Sequence, residues 1–194
     1  MTPLGDGHYT TLTKFVTPWE FYIQDNFLSH DVCNLLNGLK SFEELYTFVD
    51  NSMLTAVGKK SPIKKSIPLY KNKDITQQIE RTIRHKLQPL LIDNLYVQPD
   101  LVCCEPGYVY QTHKDHPDKY ISIVVFLHPR KGNGTILLDD NKQLYNVGWK
   151  VNRALIFQND THGEHYYVNS TEHNRYTLNI YITKHKSGRF FVEQ

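Results

Sequence analysis

ISIVVFL, residues 121–127, is one of a series of short apolar runs that fills the second half of the chain. The other runs are LYVQPDLVCC (95–104), TILLDD (135–140), LYNVGW (144–149), RALIF (153–157), HYYV (165–168) and RYTLNIYI (175–182). Turn residues separate them at Pro106-Gly107, Gly132-Asn133-Gly134 and Asn169-Ser170. Strands that recur roughly every ten residues, with turns of this kind between them, predict an antiparallel sandwich or a jelly roll.

The first half of the chain predicts one strand and two amphipathic helices. The segment EFYIQDNF, residues 20–27, alternates weakly and indicates the strand. We expect Ser29 to cap the first helix, and Asn72 or Asp74 to open the second, which Pro89 limits. The apolar positions are Val32, Leu35, Leu36 and Leu39 in the first helix and Ile75, Ile79, Ile83 and Leu87 in the second. Helices followed by many strands predict an α+β fold with the helices packed on one sheet.

The composition is that of an ordinary globular protein. The 194 residues are 40% hydrophobic and 22% charged, and we expect residues 1–194 to form a single domain. A net charge of +2 gives no field that would favour nucleic acid. The three cysteines form no C-x-x-C motif and are expected to be reduced thiols of a cytoplasmic protein. The sequence predicts no signal peptide, no membrane span and no membrane partner.

The segment from Asp50 to Pro68 is rich in Lys, Ser and Pro and predicts a long loop. It contains the basic run KKSPIKK, residues 59–65, which we interpret as solvated, with a nucleic-acid or acidic-peptide contact as the alternative. Long loops without secondary structure are often functional, so this one is a candidate lid or substrate contact. The alternative is a surface loop without such a role.

The hexapeptide YQTHKD, residues 110–115, carries the candidate metal site. His113 and Asp115 are two residues apart, so in an extended chain both side chains point the same way and can face one ion. A later histidine would complete a two-histidine, one-carboxylate set, which favours non-haem Fe(II). The downstream candidates are His116, His128, His162, His165, His173 and His185. Arg175, in an apolar strand, could bind a carboxylate bidentately. The alternative is a turn in which Asp115 binds local amides and His113 is solvated.

Four pieces of sequence, in this order, resemble the Fe(II)- and 2-oxoglutarate-dependent dioxygenases, particularly their prolyl 4-hydroxylase-like branch. They are FYIQDNFLSHDVCNLL (21–36), CEPGYVYQTHKDH (104–116), GNGTILLDD (132–140) and VNRALIFQNDTHGEHYYVNSTEHNRYTLNIYI (151–182). The similarity extends over a core of about residues 19–183. It implies that the strands form a double-stranded β-helix, or jelly roll, with the N-terminal helices packed on one sheet.

The resemblance also implies which residues are catalytic and bind the metal. His113 and Asp115 match the His-x-Asp pair of the family. His165 matches the distal histidine, since it precedes Arg175 by ten residues, as is usual in the family. His162 is the alternate third ligand, because a glycine follows it and His-Gly is common at this position. The implied metal is Fe(II).

The same resemblance assigns residues to the cosubstrate. Arg175 would hold the distal carboxylate of 2-oxoglutarate, and Thr177, two residues on, would add a hydroxyl from the same strand face. The family often has a tyrosine at the position of Cys104, two residues before the Pro-Gly turn. This chain departs from the pattern there, and Tyr110 or Tyr120 is a candidate replacement.

The function implied by the resemblance is hydroxylation of a C–H bond with O2, coupled to decarboxylation of 2-oxoglutarate to succinate and CO2. The implied substrate is a prolyl residue in a protein or peptide, and the alternative is a free amino acid or small metabolite. Two further hypotheses are a cupin-like metal enzyme and a jelly-roll binding module, both without 2-oxoglutarate. The His-x-Asp pattern and Arg175 favour the dioxygenase over both.

Overall fold

The computed structural model describes residues 2–4, 7–39, 47–50, 62–91, 95–158 and 163–183. The helices are α1 (His30–Leu39) and α2 (Lys73–Lys86), with short 3-10 turns at Leu69–Lys71 and Gln88–Leu90. Strands of the N-terminal part are β1 (Thr2–Leu4), β2 (Thr13–Phe15), β3 (Phe21–Gln24), β4 (Thr47–Asp50) and β5 (Lys64–Pro68). The later strands are β6 (Tyr96–Cys104), β7 (Val109–His113), β8 (Lys119–His128), β9 (Thr135–Leu138), β10 (Leu144–Val147), β11 (Ala154–Gln158), β12 (His165–Val168) and β13 (Arg175–Thr183).

The described strands form two sheets. The larger sheet has the order β2-β3-β11-β8-β13-β6-β5-β4 and is antiparallel throughout. The smaller sheet has the order β1-β10-β9-β12-β7 and is antiparallel except where β1 runs parallel to β10. The predicted combination of antiparallel sheets with two helices is therefore confirmed.

Both predicted helices pack on one face of the larger sheet. Ser29 accepts a hydrogen bond from the backbone N–H of Val32 at the start of α1, and Asn72 accepts one from Ile75 at the start of α2. The four predicted positions of the second helix are all buried, whereas in the first helix Leu35 remains 43% exposed. The shared core joins these helix positions to Leu101, Ile121, Ile123, Val125, Leu178, Ile180 and Ile182 of the larger sheet. Within the described ranges, no helix has the length and apolarity that crossing a bilayer requires.

The opposite face of the larger sheet packs against the smaller sheet. Its aromatic and aliphatic side chains form a second core, made of Phe21, Ile23, Phe126, Leu155 and Phe157 together with Leu137, Tyr145 and Val147 of the smaller sheet. Residues 175, 177, 179 and 181 of β13 alternate with the helix-facing residues, so they point to this inter-sheet side. The space between the sheets is thus apolar at one end and carries polar β13 residues elsewhere.

The predicted loop from Asp50 to Pro68 is wrong at its C-terminal end. Lys64–Pro68 is strand β5, paired along its length with β6. The lysine-rich composition concealed the period-2 alternation, and the pairing with β6 satisfies the backbone. Lys64 is only 8% exposed, so the interpretation of the basic run as solvated is wrong there too. Residues 51–61, where a lid was expected, lie outside the described residues.

A buried ion pair fastens the N-terminal segment to the larger sheet. Arg153 and Asp25 are both almost fully buried, and the Arg153 Nε donates to Asp25 Oδ1 over 2.7 Å. Arg153 also donates to the carbonyl of Gly7 at 2.7 Å, and Lys150 donates to Asp25 at 2.7 Å. Burial opposes ionisation of Asp25, but these hydrogen bonds outweigh it and lower its pKa to about 2.

Candidate active site

Strand pairing brings the proximal and distal histidines face to face. His113 is the last residue of β7 and His165 the first of β12, and the two are direct partners in the antiparallel register. Their ring centroids lie 4.3 Å apart. Asp115 follows two residues after His113, and one ligand atom from each of the three lies within 4.8 Å of the others. The three side chains could therefore hold one metal ion.

Both histidines present the nitrogen Nε2 for such a metal. The Nδ1 atom of His113 donates to the carbonyl of Gln111 at 2.9 Å, and that of His165 donates to the carbonyl of Gly163 at 3.0 Å. A carbonyl only accepts hydrogen bonds, so Nδ1 carries the proton and Nε2 keeps its lone pair. Burial is the main cause that lowers the pKa of His113 to about 4, and burial likewise lowers the pKa of His165. Both rings are consequently neutral, the form that binds metal.

Asp115 is held as a carboxylate by two neighbours. Lys119 donates to its Oδ1 at 2.8 Å and Ser122 donates to its Oδ2 at 2.5 Å. Burial would raise the pKa of Asp115, but the charge of Lys119 and these hydrogen bonds outweigh it and lower that pKa well below its usual range. The site thus offers an ionised ligand, which a divalent cation requires.

Arg175 is a buried cation with unpaired donors. It begins β13, is 2% exposed, and its guanidinium carbon lies 4.1 Å from the ring centroid of Tyr167 and 5.2 Å from that of Trp149. Its Nε and Nη2 atoms are buried and have no hydrogen-bond partner among the described residues. A desolvated charge without a partner is costly, so the arrangement is suited to binding an anion. Burial lowers the pKa of Arg175.

Tyr110 links the histidines to this arginine. Its ring meets that of His113 edge-on at 4.3 Å and stacks on that of Tyr167 at 5.3 Å. Since Tyr167 in turn covers Arg175, the candidate metal ligands and the candidate anion site belong to one continuous cluster. Thr177 is buried on the same strand face as Arg175, and its hydroxyl donates to Asn179 Oδ1 at 2.9 Å.

Tyr167 and Lys64 also line this cluster, and neither was predicted from the sequence. Tyr167 lies two residues after His165 in the same strand, so its position on the site-facing side could have been inferred from the period of the strand. Its hydroxyl is 3.1 Å from the sulfur of Cys104, the position where a tyrosine was expected. Lys64 lies over the ring of Tyr110, with 3.8 Å between its ammonium nitrogen and the ring centroid.

Of the other candidate histidines, the three within the described residues, His116, His128 and His173, do not join the cluster. His116 is exposed, with its Nδ1 3.6 Å from the carboxylate of Asp118. His128 and His173 have ring centroids 6.3 Å apart at the other end of β8. His162 and His185 lie outside the described residues, so the preference for His165 over His162 stays a prediction.

Solved structures with the same fold support the interpretation of the sheets. No protein-family profile and no curated protein matches the sequence. A prolyl-4-hydroxylase from Pseudomonas putida superposes with a TM-score of 0.61 and 14% identity, over 85% of this chain and 92% of that one. A prolyl hydroxylase from Trichoplax adhaerens, in complex with a hypoxia-inducible-factor peptide, gives 0.59 and 15%, over 84% and 83%. A 2OG-Fe(II) oxygenase family oxidoreductase from Burkholderia pseudomallei gives 0.60 and 9%, over 85% and 84%. The chain thus has a prolyl 4-hydroxylase-like 2-oxoglutarate oxygenase fold.

Proposed function

We propose that this chain, which has a prolyl 4-hydroxylase-like fold, is an Fe(II)- and 2-oxoglutarate-dependent dioxygenase built on a jelly roll. The observation that carries the proposal is the buried guanidinium of Arg175, whose Nε and Nη2 have no partner among the described residues, in one cluster with a two-histidine, one-carboxylate set. A structural arginine would have acquired a protein partner, as Arg153 has with Asp25. The same two donors, Nε and Nη2, argue against a cupin-like enzyme or a binding module without 2-oxoglutarate, because neither would provide them with a carboxylate.

The donor set fits Fe(II). Two neutral imidazoles and one carboxylate are typical of non-haem iron oxygenases and leave coordination positions open for other ligands. The hydrogen bonds from both Nδ1 atoms to backbone carbonyls orient the rings, and those from Lys119 and Ser122 orient Asp115. We propose that His113, Asp115 and His165 hold the metal.

The chain's own residues would bind and position the reactants. When bound, iron and 2-oxoglutarate supply the oxidative chemistry, in which O2 is consumed, 2-oxoglutarate becomes succinate and CO2, and a C–H bond is hydroxylated. Arg175 would bind the distal carboxylate through its two unpaired donors. Thr177 could contribute only after its hydroxyl turns away from Asn179, to which it now donates. Tyr110 and Tyr167 would wall the site and exclude water.

We propose that the substrate is a prolyl residue in a protein or peptide. Support comes from the Trichoplax structural neighbour, which is a prolyl hydroxylase in complex with a peptide fragment. A free amino acid or small metabolite is the second candidate. We further propose that residues 1–194 form a single catalytic domain, with a core of about residues 19–183, which acts in the cytoplasm, in keeping with the reduced thiols of Cys33, Cys103 and Cys104.

The first test is spectroscopic. Fe(II) and 2-oxoglutarate added without oxygen should produce a weak visible charge-transfer band, which His113→Ala should abolish and the exposed neighbour His116→Ala should retain. No band at saturating concentrations of both would contradict the proposal. Succinate release on addition of O2, measured with prolyl peptides, free amino acids and a no-substrate control, would then identify the substrate class. If free amino acids stimulate succinate release more strongly than any prolyl peptide does, the proposed prolyl substrate is wrong.

A further inference from the structure

Lys64 lies in the same cross-strand row as Arg175. In the larger sheet Lys64 of β5 is the register partner of Cys104 of β6, and Cys104 is the register partner of Arg175 of β13. The two basic residues therefore flank one cysteine on the inter-sheet side. Both are buried, Lys64 at 8% and Arg175 at 2% exposure.

Two stacked tyrosines of the smaller sheet face this row. The ammonium of Lys64 lies 3.8 Å from the ring centroid of Tyr110, and the guanidinium carbon of Arg175 lies 4.1 Å from that of Tyr167. The two rings stack at 5.3 Å. Each cation is thus fixed on one ring of a rigid pair. A cation–π contact fixes the position of a charged group over the face of an aromatic ring.

The ring of Tyr110 joins Lys64 to the candidate metal ligands, because the same ring also meets the His113 ring edge-on, with 4.3 Å between the two ring centroids. Burial raises the pKa of the Cys104 thiol, and the charges of Arg175 and Lys64 both oppose that rise. The Lys64 ammonium therefore lies near the space that a molecule bridging the metal site and Arg175 would occupy.

We propose that Lys64 is a second cationic contact for the distal carboxylate of 2-oxoglutarate, approaching it from the side of Cys104 opposite Arg175. This inference rests on the proposed function and adds a residue to it. A carboxylate has two oxygens with about four lone-pair positions, so it can accept a bidentate guanidinium and an ammonium together. A dicarboxylate would then be favoured over a 2-oxo acid that lacks the distal group.

The experiment measures binding rather than turnover. The affinity of the Mn(II)-loaded protein for 2-oxoglutarate is determined by calorimetry for wild type, Lys64→Met and Lys65→Met. Methionine keeps the apolar stem and removes the charge. Lys65 is the matched control, because the adjacent residue of the same strand points to the opposite sheet face. Losing one charge-assisted hydrogen bond should weaken 2-oxoglutarate roughly 10- to 100-fold in Lys64→Met, with Mn(II) affinity preserved and Lys65→Met unchanged.

Other results overturn the inference in distinguishable ways. Wild-type affinity for 2-oxoglutarate in Lys64→Met means that Lys64 does not touch it. Equal loss of Mn(II) affinity means that the lysine supports the metal site instead. The affinity for 2-oxobutyrate, which has the keto acid but no distal carboxylate, should be the same in wild type and Lys64→Met. If Lys64→Met weakens 2-oxobutyrate as much as 2-oxoglutarate, then Lys64 does not bind the distal carboxylate. Failure of wild type to bind 2-oxoglutarate would refute the proposed function itself.

Discussion

Replacing Arg175 by methionine should stabilise the protein without ligand and at the same time remove its affinity for 2-oxoglutarate. The guanidinium is 2% exposed, and its Nε and Nη2 find no acceptor in the described part of the chain. Exchanging a buried ion for a well-packed apolar side chain is commonly neutral or stabilising, by about 1–4 kcal/mol. An aromatic site formed by Tyr167, Trp149 and Phe126 would accept the methionine.

The loss in binding follows from the same two donors. Each hydrogen bond to a charged group contributes about 1.5–3 kcal/mol, so two correspond to roughly 3–6 kcal/mol, or a dissociation constant about 10²–10⁴-fold higher. In urea unfolding of the Mn(II)-loaded protein, 2-oxoglutarate at 100 times its dissociation constant should add about 2.7 kcal/mol to wild type. The Arg175→Met protein should gain less than about 0.5 kcal/mol at the same concentration.

The chain offers a matched control in Arg153. Arg153 is also 2% exposed, but Asp25 accepts hydrogen bonds from it. Arg153→Met should cost about 3–5 kcal/mol, because it removes one partner of a buried pair, and it should leave 2-oxoglutarate affinity unchanged. If Arg175→Met also lowers the free energy of unfolding and leaves the affinity for 2-oxoglutarate unchanged, then Arg175 is a structural residue and the reasoning is refuted.

Three further predictions concern the metal ligands and the buried ion pair. Mn(II) binding can be monitored by electron paramagnetic resonance. His165→Ala should abolish this binding, whereas His162→Ala should retain it. The reverse result would make His162 the ligand. Ser122→Ala should weaken Mn(II) about 10-fold by removing a hydrogen bond that orients Asp115, and unchanged affinity would count against that role. Asp25 has a folded-state pKa of about 2 against an ordinary 3.8, so its ionised carboxylate contributes about 2 kcal/mol to the free energy of unfolding. This contribution is complete above about pH 5 and is lost as the pH falls through 2. Acid titrations of unfolding should show wild type losing that much more stability than Asp25→Asn, and parallel curves would refute it.

Periodicity made the helices and most strands predictable. Ile75, Ile79, Ile83 and Leu87 are all buried as their spacing predicted, because a helix face repeats locally and needs no distant partner to be recognised. The apolar runs after residue 94 form strands as predicted, because short apolar runs bounded by turn residues can also be recognised locally. The lysine-rich strand β5 was not predicted. A strand with polar residues at its buried positions is stabilised by its neighbouring strands, so its own sequence pattern does not reveal it.

The sequence by itself determined which chemical groups are present, namely a His-x-Asp pair, later histidines and a strand arginine. Only the tertiary structure decided their arrangement. The register of β7 against β12 sets His113 opposite His165, and that pairing joins residues more than fifty positions apart. Two further features depend on how the two sheets face each other. Arg175 is buried with no hydrogen-bond partner for Nε and Nη2 in the described part of the chain, and Lys64 lies over the ring of Tyr110. The local sequence pattern indicates which face of a helix or strand is apolar. The charge and solvation of a site depend instead on the residues that the fold packs against it.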